Sequence, residues 1–546
     1  MIDIQHKVLK KEVEIIELLI GDDALRQIQD NEFISDWDNI YDLCPWATVF
    51  QKREFVTSWY RIYQDKYVPI IVSAKNNGRL TGLLTLAKSN DKHIIGAGGN
   101  QAEYQVWLAE DSSNSEFIIN ALSLLQKQFP KAAIHLKYIP YNTPIGCIKT
   151  DPYWKSRCMV QSFKQPLLVV DEASLTRELK KKNRREKLNR LKRLGELKFE
   201  RITGTDEFAS TIEELAVQFD FRKGATVNIN PFKDDPFKRK FMLALFEHNL
   251  VHATILKLND EIIASNIGAM DNNWVHLQGL NTHSPFYAKH SPGILHFLML
   301  GKLMVEENFK VFDLTPGGDS YKEDLANHYE NAFELTISNP SHILSKNLQY
   351  KLIKYIKLTL LKAVARKTFI KDFKKATWNT SERIRKSLRS SVTDYITFIY
   401  PAKQDRVYST YCHSIIKLQN STIPINKMSL EDLLDYDGRE AWQTRWEFLE
   451  EAMRRFESGE RSYTWAEGGR LLACAWLGRA PVGGPAPEGA PVLRGIYCHP
   501  AGRGRLAGFL AAAAGEACQG GGELYATARE AYTSQALEAI GFTLVT

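Results

Sequence analysis

Phe312-Asp313-Leu314 is followed by Gly317-Gly318-Asp319 and then by Tyr321-Lys322, so a carboxylate, a phenol and an ammonium fall within one short stretch. A carboxylate at the end of a buried strand, with the other two groups presented by a tight glycine turn, can deprotonate an incoming amine and stabilise a tetrahedral oxyanion. In that reading Asp313 is the base or orienter, Tyr321 the acid or hydrogen-bond donor, and Lys322 the group that stabilises negative charge. The same residues also suit a purely structural arrangement, with Asp313 capping the glycine turn and Lys322 paired to it. His276 and Gln278 share one face of a strand by period-two spacing and could line an acceptor cleft, although a strand histidine can equally be a satisfied structural residue. Ser291-Pro292-Gly293 opens a helix whose free N–H groups form a natural cradle for a pyrophosphate. An ordinary helix start, with Ser291 as N-cap and Pro292 at the first position, uses the same residues.

Other chemistries lack their residues. His283, His290 and His296 are too irregularly spaced for a metal site, and HExxH is absent, so no metal is expected. There is no HxxxD acyl-transfer motif, no GxxxxGK[ST] phosphate loop and no GxSxG elbow. Ile95-Gly96-Ala97-Gly98-Gly99-Asn100 lacks the third glycine of GxGxxG and reads as a loop. Seven cysteines, odd in number, far apart and never CxxC, argue against a disulfide framework or a zinc site and fit a reducing cytoplasm. No cysteine or serine lies in a setting suited to nucleophilic catalysis, so direct attack by an acceptor is the expected route.

The elements that must position these residues belong to several domains, because 546 residues exceed what one core supports. After a Trp-containing helix pair from Asn31, VPIIVSAKNNGRLTGLLTLAKS reads as two strands joined at Asn76-Asn77-Gly78. A helix at SEFIINALSLLQKQF and a strand at AAIHLKYI follow, and the order of helices and strands recurs between about 175 and 338, which suggests an internal repeat. A third, shorter version runs from 428 to the end. KKKNRREKLNRLKRLG, Lys180 to Gly195, predicts a basic amphipathic helix with Gly195 as its C-cap. The start of the chain has no secretory-signal pattern, and no apolar run approaches the roughly 18 residues of a membrane span.

The net charge of +7 conceals an asymmetry. Residues 428–546 hold 16 Asp+Glu against 11 Arg and no Lys, a net of −5, and 17 of the 33 glycines; residues 1–427 carry +12. This marks a boundary near Lys427. The run 341–391 has 14 Lys+Arg against Asp372 and Glu382, with apolar residues at helical spacing. It reads as a solvated helix face or as a surface for an acidic partner: phospholipid headgroups, an acidic carrier protein or RNA.

With these residues in place, the segment from Leu175 to about Ser338 resembles the acetyltransferase-type domain of the FemAB-like and cellulose-biosynthesis-associated proteins of the GNAT superfamily. The most specific piece is Phe312-Asp313-Leu314 with Gly317-Gly318-Asp319, Tyr321-Lys322 and the preceding Ser291-Pro292-Gly293; Lys322 matches the family's YK-type position. TVFQKREFVTSWY and GRLTGLLTL are similar to the first half of the same two-lobed architecture, where Glu103, Tyr104 and Gln105 would face the cleft. The last segment is similar to a GNAT domain, with Arg503-Gly504-Arg505-Leu506-Ala507-Gly508 at the pyrophosphate-loop position. Leu506 stands where that pattern has glycine, and Leu537 where a tyrosine acid is common, with Tyr532 nearby.

The expected fold is therefore α/β (α+β): tandem GNAT-like folds with mixed, largely antiparallel sheets flanked by helices, plus a third GNAT-like domain. The expected domains are 1–165, 166–340, a basic helical tail 341–427, and 428–546. The resemblance implies a cytoplasmic transferase, peripheral at most to the inner membrane, that uses acetyl-CoA or another acyl-CoA. Its acceptor would be a small molecule, glycan or peptide in envelope or exopolysaccharide biosynthesis. Catalysis would fall to Lys322, Tyr321 and Asp313, donor binding to Ser291, Pro292, Gly293, Arg503, Gly504 and Gly508, and acceptor binding to His276, Gln278, Glu103 and Tyr104. An aminoacyl-tRNA-dependent ligase, with the basic helices on the nucleic acid, is one alternative. A non-catalytic protein docked on a membrane through Lys346, Lys351, Lys354 and Lys357 is the other.

Overall fold

A computed structural model of the chain describes residues 15–110, 114–271, 273–363, 375–382, 409–414, 423–441, 443–518 and 522–545. These form two compact units. The first takes the described residues up to Thr211, then Pro236–Asn281 and Gly293–Leu360; the second takes Ile212–Asp235, Thr282–Pro292 and the described residues from Leu361 on.

The strands of the first unit are β1 (Ile15–Ile20), β2 (Val68–Asn76), β3 (Arg79–Asn90), β4 (His93–Gly96), β5 (Leu108–Ala109), β6 (Ala133–Ile139), β7 (Cys158–Val169), β8 (Leu197–Arg201), β9 (Val251–Leu258), β10 (Glu261–Met270), β11 (Trp274–His283), β12 (Val311–Asp313) and β13 (His328–Ile337). They make one sheet in the order β1-β2-β3-β4-β6-β13-β7-β12-β11-β10-β9-β8, with β5 on β3. The apolar runs PIIVSA and LTGLLTLA are buried along nearly their whole length, as strands covered on both faces require. The hairpin between them turns where expected, with Asn77 and Gly78 at positive φ (51° and 84°).

The repeat is visible in the parallel pairs. β4 lies parallel to β6 and β11 parallel to β12. Each pair is joined by a crossover that contains a helix, Asn114–Gln128 in one case and Pro292–Glu306 in the other. The halves also exchange strands. β13, from the end of the second half, pairs with both β6 and β7, and β7 pairs with both β13 and β12. The boundary expected at 165/166 falls inside β7, because each half of the sheet is finished by a strand from the other.

The basic segment 180–195 divides differently from the expectation. One helix ends at Lys180 and the next runs Lys182–Leu194, broken at Lys181, whose backbone is extended (ψ 135°). Gly195 is not a left-handed cap: its φ is 167°, and glycine fits because a Cβ there would strike the Asn259 amide, which accepts a bond from the Glu196 N–H (2.9 Å). Of the 341–391 segment, Pro340–Ala363 and 375–382 are helical and the rest lies outside the described residues.

The second unit holds β14 (Ser409–Ser414), β15 (Asn426–Lys427), β16 (Arg461–Glu467), β17 (Arg470–Arg479), β18 (Pro491–Cys498), β19 (Glu523–Ala528) and β20 (Thr543–Leu544), in the order β15-β16-β17-β18-β19-β14-β20. β18 and β19 are again parallel. β14 and β15 precede Met428, so the sheet draws strands from both sides of the compositional boundary. Both units are mixed α/β layers. No described helix is long and apolar enough to cross a membrane.

Candidate active site

β11 and β12 pair over three rungs, Trp274 with Val311, Val275 with Phe312 and His276 with Asp313. β12 stops at Asp313 whereas β11 continues to His283, so the parallel strands part at the His276–Asp313 rung. In the first half the equivalent gap beyond the Ile95–His135 rung is closed: Gln105 bonds across it, its N–H donating to the Lys137 carbonyl (2.9 Å) and its Oε1 accepting from the Lys137 N–H (3.0 Å). In the second half the residues at the end of the split are His276 and Asp313.

Asp313 is fully buried and receives four hydrogen bonds. Its Oδ2 accepts from the Tyr104 hydroxyl (2.7 Å) and lies 2.9 Å from His276 Nδ1. Its Oδ1 accepts from the Thr315 N–H (2.9 Å) and from Gln165 Nε2 (3.3 Å). Burial, and then the neighbouring Asp313 charge, drive the Tyr104 phenol far above its ordinary range, so it stays a donor. A carboxylate facing Nδ1 fixes that nitrogen as the protonated one and leaves the lone pair on Nε2. His276 is 2% exposed and its Nε2 has no hydrogen-bond partner. The ring is held by Trp274, stacked at 6.0 Å, and by the edge of Phe50 at 5.1 Å.

His276 lines a cavity of about 200 Å³ together with Tyr104, Gln165 and Trp274. Trp46 and Tyr141 add aromatic surface, and Asp271 and Glu330 add carboxylates; among the described residues no lysine or arginine lines it. Burial holds the Glu330 carboxyl above the usual range, with the Asp313 charge adding to it and His328 opposing. An unpartnered imidazole nitrogen whose ring is oriented by a carboxylate is able to act as a general base, and carboxylates with aromatic rings are surroundings that suit a cation. Backbone packing behind it is close: a Cβ on Gly268 would overlap the His276 carbonyl oxygen, and one on Gly279 (φ 138°) the Ile267 carbonyl oxygen.

The expected residues divide among several places. Asp313, His276 and Tyr104 come together. Lys322 is buried, and desolvation lowers its pKa; its ammonium donates to Thr315 Oγ1 (3.0 Å) and the Thr315 carbonyl (3.2 Å) and stands 3.9 Å from Asp319. It braces the turn after β12 instead of pairing with Asp313. Tyr321 stacks on Phe297 (6.2 Å) at an apolar cluster. Gln278 donates to the Asn100 carbonyl (3.0 Å), and Glu103, raised by burial, is ion-paired to Lys137 (2.9 Å). Pro292 does open its helix, but Ser291 precedes it in a left-handed conformation (φ 50°), not the extended one of an N-cap.

Arg503, Gly504 and Gly508 lie in the second unit. A cavity of about 610 Å³ opens there beside β18 and β19, which pair only at Val492–Tyr525 and Leu493–Ala526. Arg503 lines it, 4.7 Å over the Tyr532 ring; Gly504 faces open space, and Gly508 is inside the helix Leu506–Ala517. Cys498, beside it, has its thiol pushed up to about 11 by burial and is no nucleophile at neutral pH. All seven cysteines are free, and no group of three or more potential metal ligands occurs among the described residues.

Gln165, Trp274, Asp271 and Glu330 were missed by sequence reasoning. Trp274 had a signal, since it shares the His276 face by period two; Gln165 and Glu330 had none, because they arrive on the exchanged strands β7 and β13.

Residues 179–323 match the family model of an acetyltransferase (GNAT) domain. The match contains His276, Asp313, Tyr321 and Lys322 and excludes Tyr104 and Gln165, so it spans part of the larger sheet. No curated protein matches the chain. Among solved structures it is similar to FemX (12% identity, 57% of this chain and 97% of that one, TM-score 0.40). It is also similar to L-PGS from Bacillus licheniformis (12%, 59% and 96%, 0.37) and to a tandem GNAT protein from the clavulanic acid biosynthesis pathway (12%, 59% and 98%, 0.37).

Proposed function

We propose that the chain is an acyl-CoA-dependent acyltransferase whose base is His276, oriented by Asp313, and whose acceptor is an amine. The observation that carries this reading is the buried Asp313–His276 pair at the point where β11 and β12 part, with Nε2 unpartnered and His276 among the residues that line a cavity. The acceptor releases one proton to solvent, and the neutral amine attacks the thioester carbonyl while His276 Nε2 takes a second proton from its nitrogen. The tetrahedral intermediate collapses with loss of the thiolate, which leaves as the thiol after proton return. Tyr104 and Gln165 hold Asp313, and Lys322 is a positioning residue for the turn that ends β12. Asp271, Glu330 and the Trp46, Trp274 and Tyr141 rings favour a cationic acceptor over a phosphorylated one, so the donor's phosphates belong elsewhere. Ser291, Pro292 and Gly293 are one set of candidates to hold that donor, and Arg503, Gly504 and Gly508 are another.

The test is thiol release from acetyl-CoA and longer acyl-CoA by the full chain, with a panel of amines and alcohols, beside His276→Gln. Turnover with amines that the variant loses supports the reading. Absence of turnover and of thermal stabilisation by every CoA thioester overturns it.

A further inference from the structure

We infer that the helix Pro340–Ala363 rests on an anionic lipid surface through the row Leu344, Leu348 and Leu352 and Lys351 beside it. The three leucines are 62%, 59% and 59% exposed, and their i, i+4, i+8 spacing makes them one continuous strip. Ile343, on another side of the helix, is 2% exposed and anchors it, so the strip is the side turned away from the fold. Three neighbouring leucines in water are an unusual surface, and such strips mark contact with a partner or a membrane.

Charge selects the occupant. The helix holds Lys346, Lys351, Lys354, Lys357 and Lys362 and no Asp or Glu. The run 341–391 has 14 Lys+Arg against two acids, so the cationic excess of residues 1–427 is concentrated there. A nucleic-acid backbone would satisfy the lysines and leave the leucines in water. An anionic bilayer takes both: apolar side chains enter the boundary of headgroups and acyl chains, while lysines meet the phosphates. The helix is about 36 Å long at 1.5 Å per residue, and it does not meet the apolarity of a membrane span, so it lies along the surface.

The experiment is co-sedimentation of the full chain with phosphatidylcholine vesicles and with vesicles one-third phosphatidylglycerol. Binding is expected to the anionic vesicles only and to weaken at high salt. Leu344→Ser/Leu348→Ser/Leu352→Ser should lower it at least tenfold with unchanged thermal unfolding, since the positions are exposed. Lys351→Glu should lower it about fivefold or more, from about 1 kcal/mol per lysine at such a surface. Failure to bind anionic vesicles overturns the inference. So does wild-type binding by the leucine variant, which would mark a general polyanion face, checked by equal binding of poly(U). Neither result bears on acyl transfer, which is measured separately.

Discussion

Asp313→Asn separates the chemistry of the site from its stability. The carboxylate takes two hydrogen bonds on each oxygen. An asparagine whose oxygen replaces Oδ1 keeps the Thr315 and Gln165 bonds and puts its NH2 where Oδ2 was. The Tyr104 hydroxyl can rotate to accept from that NH2, and His276 can accept at Nδ1 by moving its proton to Nε2. Every bond is remade as a neutral one, so the folding cost is expected at about 1–3 kcal/mol, the difference between charge-assisted and neutral bonds. Catalysis fares worse, because the lone pair on His276 Nε2 becomes an N–H. Loss of a general base through the wrong tautomer costs about 10³–10⁴ in kcat, or about 4–5.5 kcal/mol of barrier at 1.36 per tenfold. Thiol release at saturating donor and acceptor gives the first number, and urea unfolding gives the second. A folded variant with kcat within about threefold of wild type would refute the reasoning, since the carboxylate would then not set the His276 tautomer.

Three further perturbations follow from the geometry. Glu330→Gln removes one of the two cavity carboxylates and should raise KM for amine acceptors roughly fivefold to tenfold, about 1–1.4 kcal/mol, with little change for neutral alcohols; equal KM values for amines would dismiss the cation-binding role. Gly268→Ala forces a methyl into the His276 carbonyl oxygen, a rigid backbone clash, and should cost at least about 2–3 kcal/mol in urea unfolding, while a loss below about 0.5 would contradict the packing described. His296 is fully buried, donates to the Thr254 carbonyl (3.2 Å) and has its pKa pushed down to about 3 by desolvation. The unfolded chain binds that proton near 6.5 and the native state does not, so this contribution is complete above about pH 6.5 and is lost as pH falls toward 3. From pH 7 to pH 5 the loss is about 2 kcal/mol, and His296→Gln should flatten the slope of the urea midpoint over that window; an unchanged slope would be the refuting result.

The local elements were largely legible. Period-two runs and Asn77-Gly78 set the β2–β3 hairpin, and helical spacing set Asn114–Gln128 and Leu506–Ala517, because burial of one face or stripe is written into neighbouring residues. The residue types at 276 and 313 were also singled out, His276 as lining of an acceptor cleft and Asp313 as a base or orienter. Their roles were less legible: Lys322 looked like the charged partner of Asp313, yet a short turn folds it onto Thr315. Gly195 looked like a cap, yet its need is the Asn259 side chain 64 residues on.

What the sequence by itself determined is thus the class of fold, the compositional break near Lys427, the cationic stretch 341–391 and a short list of groups able to move a proton. Tertiary structure alone decided which of them act together. Tyr104 reaches Asp313 across 209 residues and Gln165 across 148, and both meetings depend on which rungs of β11 and β12 pair and on strands exchanged between halves of the sheet. Periodicity tells a residue which face it occupies; only long-range strand pairing, settled by burial across the whole sheet, tells it which neighbour it will meet.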